Sequence, residues 1–141
     1  MAGETKAVLA AYAKPTRMLT GSGLCCSVFS VPLATTEMEL ADVVNCGYIP
    51  AGVTVVAVGF ACHDMDSSTG VVNKITIGST DVATGITAGV LGSVATAVPT
   101  LRAVIPQTTT DKTLVSTTFT TAPSGTAAAG TIHVSVWYFS A

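Results

Sequence analysis

The sequence predicts an all-β protein: an antiparallel β-sandwich, with jelly-roll or immunoglobulin-like strand order, carrying an extended N-terminal arm. Three observations predict it. Short runs rich in Val, Ile and Thr recur along the chain, separated by Gly, Pro, Asp, Asn and Ser clusters. The 13 glycines and 6 prolines interrupt the chain too often for a long helix. Residues 48–64, YIPAGVTVVAVGFACHD, hold the strongest strand, an uncharged stretch over 53–62 opened by the turn sequence Ile49-Pro50-Ala51-Gly52. Its two faces, Val53, Val55, Ala57, Gly59, Ala61 and Thr54, Val56, Val58, Phe60, Cys62, barely alternate in polarity. A strand with one wet face alternates. Both faces are therefore expected to be covered, one by the domain's core and the other by a second layer or another subunit. The bulkier Val56, Val58, Phe60 face is assigned to the core.

The elements follow in order. Residues 1–23 hold Lys6, Lys14 and Arg17, half of the six basic residues, and a short helical stretch over 7–14 is stopped by Pro15. Thr20-Gly21-Ser22-Gly23 has the composition of a hinge. The segment reads as an arm leaving the domain or as a loosely ordered terminus, and residues 24–141 as the sandwich. A first strand is expected over 24–31, with Pro32 ending it or marking a sheet edge. Residues 37–46 read as a strand with an acidic wet side, leading into the central strand. After the polar stretch from His63 to Gly70, residues 71–77 alternate again, and the whole looks like an antiparallel hairpin with a long tip. Residues 78–99, with repeated Gly and no clean period, read as a loop with short strands. Further strands are expected over 101–105, 113–121 and 131–139. In the last, Ile132, Val134, Val136 and Tyr138 form the apolar face.

Composition narrows the functional classes. The chain has 141 residues, enough for one domain with a real core. It is 49% hydrophobic with a mean hydropathy of +0.62, yet only 10% charged, against a usual quarter. So little charge fits a membrane or extensive burial between subunits. The uncharged runs at 82–101 and 113–141 are broken by Gly, Pro, Ser and Thr, which argues against a membrane helix. Aromatic residues at 6% are too few for the girdles of a membrane barrel. A net charge of −2 argues against nucleic acid. The N-terminal sequence has no continuous apolar core of a signal peptide. Cys25, Cys26, Cys46 and Cys62 lie in apolar stretches and read as small buried hydrophobes of a protein made in a reducing cytoplasm.

Candidate chemistry is sparse. His63 and His133 have no Gly-x-Ser-x-Gly partner motif, and His133 reads as a half-exposed strand residue. Cys62-His63-Asp64 lacks the spacing of a metal site. The run from Asp64 resembles a calcium loop, but Thr69 and Ile75 stand where glycine and glutamate are required, so a solvated hairpin tip is expected. Asp64 and Asp66 would need a carboxylate across a cleft to act on glycosides. Trp137, Tyr138 and Phe139 alternate faces, which favours core packing over a sugar platform. No catalytic, metal or cofactor-binding residue is expected, no cofactor, and no enzymatic activity.

Three stretches nonetheless carry a resemblance: ADVVNCGYIPAGVTVVAV (41–58), KITIGSTD (74–81) and AGTIHVSVWY (129–138). Together they resemble small β-rich structural proteins of tailed bacteriophages, the head decoration, cement or head-fibre type, over residues 40–141. The resemblance implies a virion protein on the outer surface of the capsid, made in the host bacterial cytoplasm. It implies a dimer or trimer that binds the major capsid protein and braces the assembled head, with no nucleic-acid or membrane partner. Lys6, Tyr12, Lys14 and Arg17 of the arm are the expected docking residues. A phage tail, fibre or carbohydrate-binding module is the alternative. A phage hydrolase using His63 or His133 is a third.

Overall fold

A computed structural model describes residues 5–6, 16–19, 24–67, 70–87, 105–106 and 111–139. Among the described residues there are ten strands: β1 (Thr5–Lys6), β2 (Thr16–Leu19), β3 (Leu24–Leu33), β4 (Val43–Ile49), β5 (Thr54–Cys62), β6 (Val72–Ile77), β7 (Thr80–Ile86), β8 (Ile105–Pro106), β9 (Thr113–Thr121) and β10 (Gly130–Phe139). They form two five-stranded sheets, ordered β1-β4-β9-β6-β7 and β2-β3-β10-β5-β8. All pairings are antiparallel except β1 with β4. The expected all-β sandwich is the fold observed.

The strand order settles which sandwich it is. Partners nest: β3 pairs with β10, β4 with β9, β5 with β8 and β6 with β7. The nested pairs then alternate between sheets, giving β3-β10-β5-β8 in one and β4-β9-β6-β7 in the other. A long antiparallel ribbon doubled over in this way is a jelly roll, not an immunoglobulin-like sandwich. The topology corrects one expectation. β5 and β6 do not form a hairpin, because β5 hydrogen-bonds to β10 and β8 while β6 hydrogen-bonds to β9 and β7 in the other sheet. The connection from His63 to Val71 is a crossover between sheets.

Local chemistry explains the other departures. The strand expected over 37–46 starts only at Val43. Before it lie a 3-10 turn, Thr35–Glu37, and a tight bend through Ala41, whose φ is +66°. Carboxylates hold both: Glu37 accepts from the Ala34 N–H at 2.7 Å and Asp42 from the Glu39 N–H at 2.9 Å. Side chains that bond their own backbone compete with strand pairing. The turn before β5 centres on Ala51 and Gly52, one residue later than expected, because Gly52 takes the positive φ of +73°. Residues 78–79 form a two-residue hairpin between Ile77 and Thr80, with Gly78 at φ +63°. Glycine first, with only that residue left-handed, is the type II′ turn that suits strand twist. That hairpin makes β7 a strand where a loop with short strands was expected. Residues 88–99 of that stretch and 101–104 of the next expected strand lie outside the described residues.

The core fills the space between the sheets. Ile132, Val134, Val136 and Tyr138 of β10 are all buried and point inward, as alternation predicts. Opposite them on β5 stand Cys62, Phe60, Val58 and then Val55, because the register slips between Trp137 and Tyr138. The extra residue on β5 is a β-bulge. It turns Val56 outward, so the predicted core face keeps Val58, Phe60 and Cys62 but exchanges Val56 for Val55. Phe29 from β3 reaches across to β4, where Gly47 leaves room for its ring. Buried Tyr138 and Ser27 satisfy each other through hydroxyls 2.9 Å apart.

Candidate docking surfaces

The arm residues singled out by the sequence fall in different places. Lys6 is on β1, at the edge of one sheet, paired in register with Val44. Arg17 is on β2, at the edge of the other sheet, opposite Ser27. Both edges lie on the same side of the sandwich, since β3 lies across from β4. Tyr12 and Lys14 lie outside the described residues. The described parts of segment 1–23 thus extend the domain's own sheets.

The two outer faces differ in chemistry. On the β4-β9-β6-β7 sheet, Lys74 Nζ donates to Asp81 Oδ2 at 3.0 Å, and Thr76 Oγ1 donates to Asp81 Oδ1 at 2.9 Å. These bonds hold the Asp81 carboxyl below its usual range, the Lys74 hydrogen bond being the larger cause. At the start of β9 the Lys112 ammonium lies 4.5 Å from the centre of the Tyr48 ring. This face is wet, polar and charged.

The outer face of the β3-β10-β5 sheet is the opposite. None of these three strands contains Asp, Glu, Lys or Arg. Trp137 and Phe139 stand out from β10, 36% and 45% exposed, while Tyr138 between them is fully buried. The expectation of core packing thus holds for Tyr138 alone among the three. Beside Trp137 on β5 is Ala57, followed along the same face by Gly59 and Ala61. The Ser135 side chain lies over Gly59. Val28 and Val56 are half-buried on this face. Two exposed aromatic side chains therefore stand beside a row of small residues, with Ser135 filling the space over Gly59. The β5 residues Ala57, Gly59 and Ala61 on it belong to the face expected, from the residues, to be covered by a second layer or another subunit. The readable signal is the absence of charge from three ten-residue-scale strands, one of which also carries the chain's single tryptophan.

At the other end of this face, Ser30 Oγ and His133 Nδ1 are 2.7 Å apart, and the His63 ring meets the His133 ring edge-on at 6.5 Å. Among the described residues no carboxylate is hydrogen-bonded to either imidazole. No three His, Cys, Asp or Glu side chains among them lie close enough to hold a metal ion.

The expected solvated tip at 64–70 is instead anchored. Asp66 is 1% exposed. Its Oδ2 accepts the N–H groups of Gly70, Val71 and Ser124 at 3.1, 3.2 and 3.1 Å, and its Oδ1 that of Gly125 at 2.9 Å. Ser67 Oγ accepts the Thr126 N–H at 2.8 Å. The crossover is thereby tied to the β9–β10 loop, and the carboxylate that looked like a calcium ligand is a backbone clamp.

All four cysteines are buried thiols. Burial pushes the Cys46 thiol up to about 12, opposed by a hydrogen bond from the Thr117 backbone. Burial, helped by the nearby Asp64 charge, pushes Cys62 up to about 11. Folded thiols that hold their protons above the ordinary value of 9.0 favour the folded state below that pH, and the advantage is lost as pH rises through 11 and 12. Urea midpoints are expected to fall from pH 8.5 to 10.5, each thiol contributing up to about 1.4 kcal/mol per pH unit. A Cys46→Ala, Cys62→Ala variant should show a shallower slope than the wild type; equal slopes would contradict the assignment.

No protein-family model and no curated protein matches this chain. Two solved structures share its fold. A chain from the capsid of Ralstonia phage GP4 superposes with a TM-score of 0.69 at 18% identity, covering 84% of each chain. A chain from the cyanophage Pam1 capsid asymmetric unit superposes with a TM-score of 0.68 at 22% identity, covering 94% of this chain and 97% of the other. At such identities the likeness is one of fold. No helix among the described residues is long and apolar enough to cross a membrane.

Proposed function

We propose that this chain is a virion structural protein of a tailed bacteriophage that decorates the assembled head and stabilises it by bridging subunits of the major capsid protein. One observation carries the reading: a jelly roll matched over 84% and 94% of its length by chains of two phage capsids. An uncharged outer face supports it, since such a face gains by burial against a protein surface. In this reading the chain is not an enzyme, needs no cofactor and works on the outer surface of the virion as a dimer or trimer. A protein that binds only the assembled lattice shifts the equilibrium away from disassembly by mass action. Many weak contacts per head then act together.

Exposed Trp137 and Phe139 favour a second reading, a carbohydrate-binding module of a tail or fibre, in which sugar rings stack on those side chains. It predicts measurable glycan affinity that Trp137→Ala removes.

The arm supplies the test of the first reading. Among the described residues the buried core runs from Cys25 to Tyr138, so residues 24–141 keep it when 1–23 are deleted. The full-length chain is expected to co-sediment with heads of its virus, and the deleted chain to remain folded by circular dichroism but to lose head binding. Undiminished binding by the deleted chain would remove Lys6, Tyr12, Lys14 and Arg17 from the docking role.

A further inference from the structure

We infer that His63 and His133 form a two-imidazole site for a borderline divalent cation, Zn²⁺ or Ni²⁺, where β5 ends and the crossover to β6 begins. The inference does not depend on the proposed role. The chain has two histidines, and the fold brings their rings together edge-on, with centroids 6.5 Å apart. The spacing around Cys62-His63-Asp64 does not reveal such a site, because its second ligand comes from the last strand.

Three features select a metal ion as the occupant. The first is how His133 is held. On β10 it stands in register between Ser30 of β3 and Ala61 of β5. Its Nδ1 lies 2.7 Å from Ser30 Oγ, which leaves Nε2 on the far side of the ring from β3, toward the strand that His63 follows. A cation at Nε2 needs the lone pair there, so the proton sits on Nδ1 and is donated to the Ser30 hydroxyl. Metal-bound imidazoles are usually oriented by such a bond from their other nitrogen. The second feature is reach. With metal–nitrogen bonds of about 2.1 Å, two imidazoles on one ion have centroids about 5–6.5 Å apart, depending on the angle at the metal. The observed separation is at the wide end of that span. His63 can close it: the residue is exposed and lies just past the end of β5, so its ring turns about a stem placed beside β10, where a Cβ on Gly130 would lie 3.6 Å from His63 Cβ. The third is donor chemistry. Two imidazole nitrogens suit zinc and nickel, whereas magnesium and calcium require oxygen ligands. Water fills the remaining positions, so the site is open and exchangeable, unlike a closed four-ligand structural centre. A bound ion would tie the first residue of the crossover to β10, as the Asp66 clamp ties its later part to the β9–β10 loop.

Calorimetric titration of the full chain, without a histidine tag, with zinc chloride and with nickel chloride tests the site. One ion per chain is expected, with a dissociation constant between about 1 µM and about 100 µM. His63→Ala and His133→Ala should each weaken binding at least about tenfold, since each removes one of the two ligands. Neither residue belongs to the buried core, and circular dichroism checks that both variants fold. Ser30→Ala should weaken binding by up to about tenfold, and Ser30→Thr, which keeps the hydroxyl, should restore it. Histidine side-chain ¹⁵N spectra of the wild type read the geometry directly. Zinc should shift Nε2 of His133 and one ring nitrogen of His63, while Nδ1 of His133 stays protonated. Zinc should also raise the melting temperature of the wild type but not of the two alanine variants, because the ion binds only the folded pair. An absence of binding up to about 1 mM overturns the inference. So does binding that survives replacement of both histidines, which would assign the ion to thiols or the N-terminus, and so does binding that depends on only one of them.

Discussion

Asp66→Ala is expected to destabilise the protein by about 4 kcal/mol and to release the loop between β9 and β10. The carboxylate is buried and accepts four backbone N–H groups, two from the crossover into β6 and two from residues 124 and 125. Hydrogen bonds to a charged acceptor contribute about 1.5–3 kcal/mol each, and a buried donor left without a partner costs about 1–3. Those figures do not add in full, because the loop can move outward and let water in. Urea unfolding reads the loss of stability, and amide exchange at residues 124–128 reads the release of the loop. Asp66→Asn keeps the shape but turns an NH2 toward backbone donors, so it is expected to be destabilising as well. An alanine variant within 1 kcal/mol of wild type would contradict the clamp.

Gly47→Ala is expected to cost about 2–4 kcal/mol. Gly47 sits at a register shift of β4, where Gly47 and Asn45 face consecutive residues Val115 and Ser116 of β9. A methyl group there would overlap Cδ1 and Cε1 of Phe29, a fully buried ring that closes the gap between the sheets. The ring is fully buried in a packed core, so the strain is expected to spread to the backbone. Phe29→Leu frees part of that volume. The double variant should therefore be more stable than the sum of the single losses predicts, by at least about 1 kcal/mol in a double-mutant cycle. Strict additivity would show that the ring and the glycine do not limit each other.

How much of this was readable from the residues depends on which force decided each element. Strands governed by period-two burial were legible: β10 shows the predicted Ile132, Val134, Val136, Tyr138 face, and β6 and β9 lie where alternation placed them. Features decided by a single backbone contact were not. Glu37 and Asp42 bend the chain by capping N–H groups three residues away, and the pattern of apolar residues alone made that stretch look extended. The bulge at Val56 swaps which valine faces the core, and no periodicity reveals where an extra residue is inserted. Strand partners were also hidden, since the crossover from β5 to β6 and a hairpin tip share the same polar composition. Gly78-Ser79 was a signal present but unused: a II′ dipeptide between alternating runs marks a hairpin.

The docking surface was legible only in part. The low overall charge pointed to burial in company, but the arm's basic residues drew attention away from where the charge is missing. Composition distributes charge over the whole chain; the fold gathers three uncharged strands into one sheet with Trp137 and Phe139 on its open side. Only the strand order brings β3, β10 and β5 side by side, and strand order is set by long-range pairing that local sequence does not encode.

Head binding tests the central claim most directly. Heads lacking this chain are prepared in unexpanded and expanded forms and titrated with purified full-length protein, alongside unassembled major capsid protein. Saturable binding to expanded heads, absent with unassembled subunits and accompanied by a rise in the temperature of head disassembly, is the predicted result. No binding to either form of head, or equal binding to unassembled subunits with no gain in head stability, would contradict it.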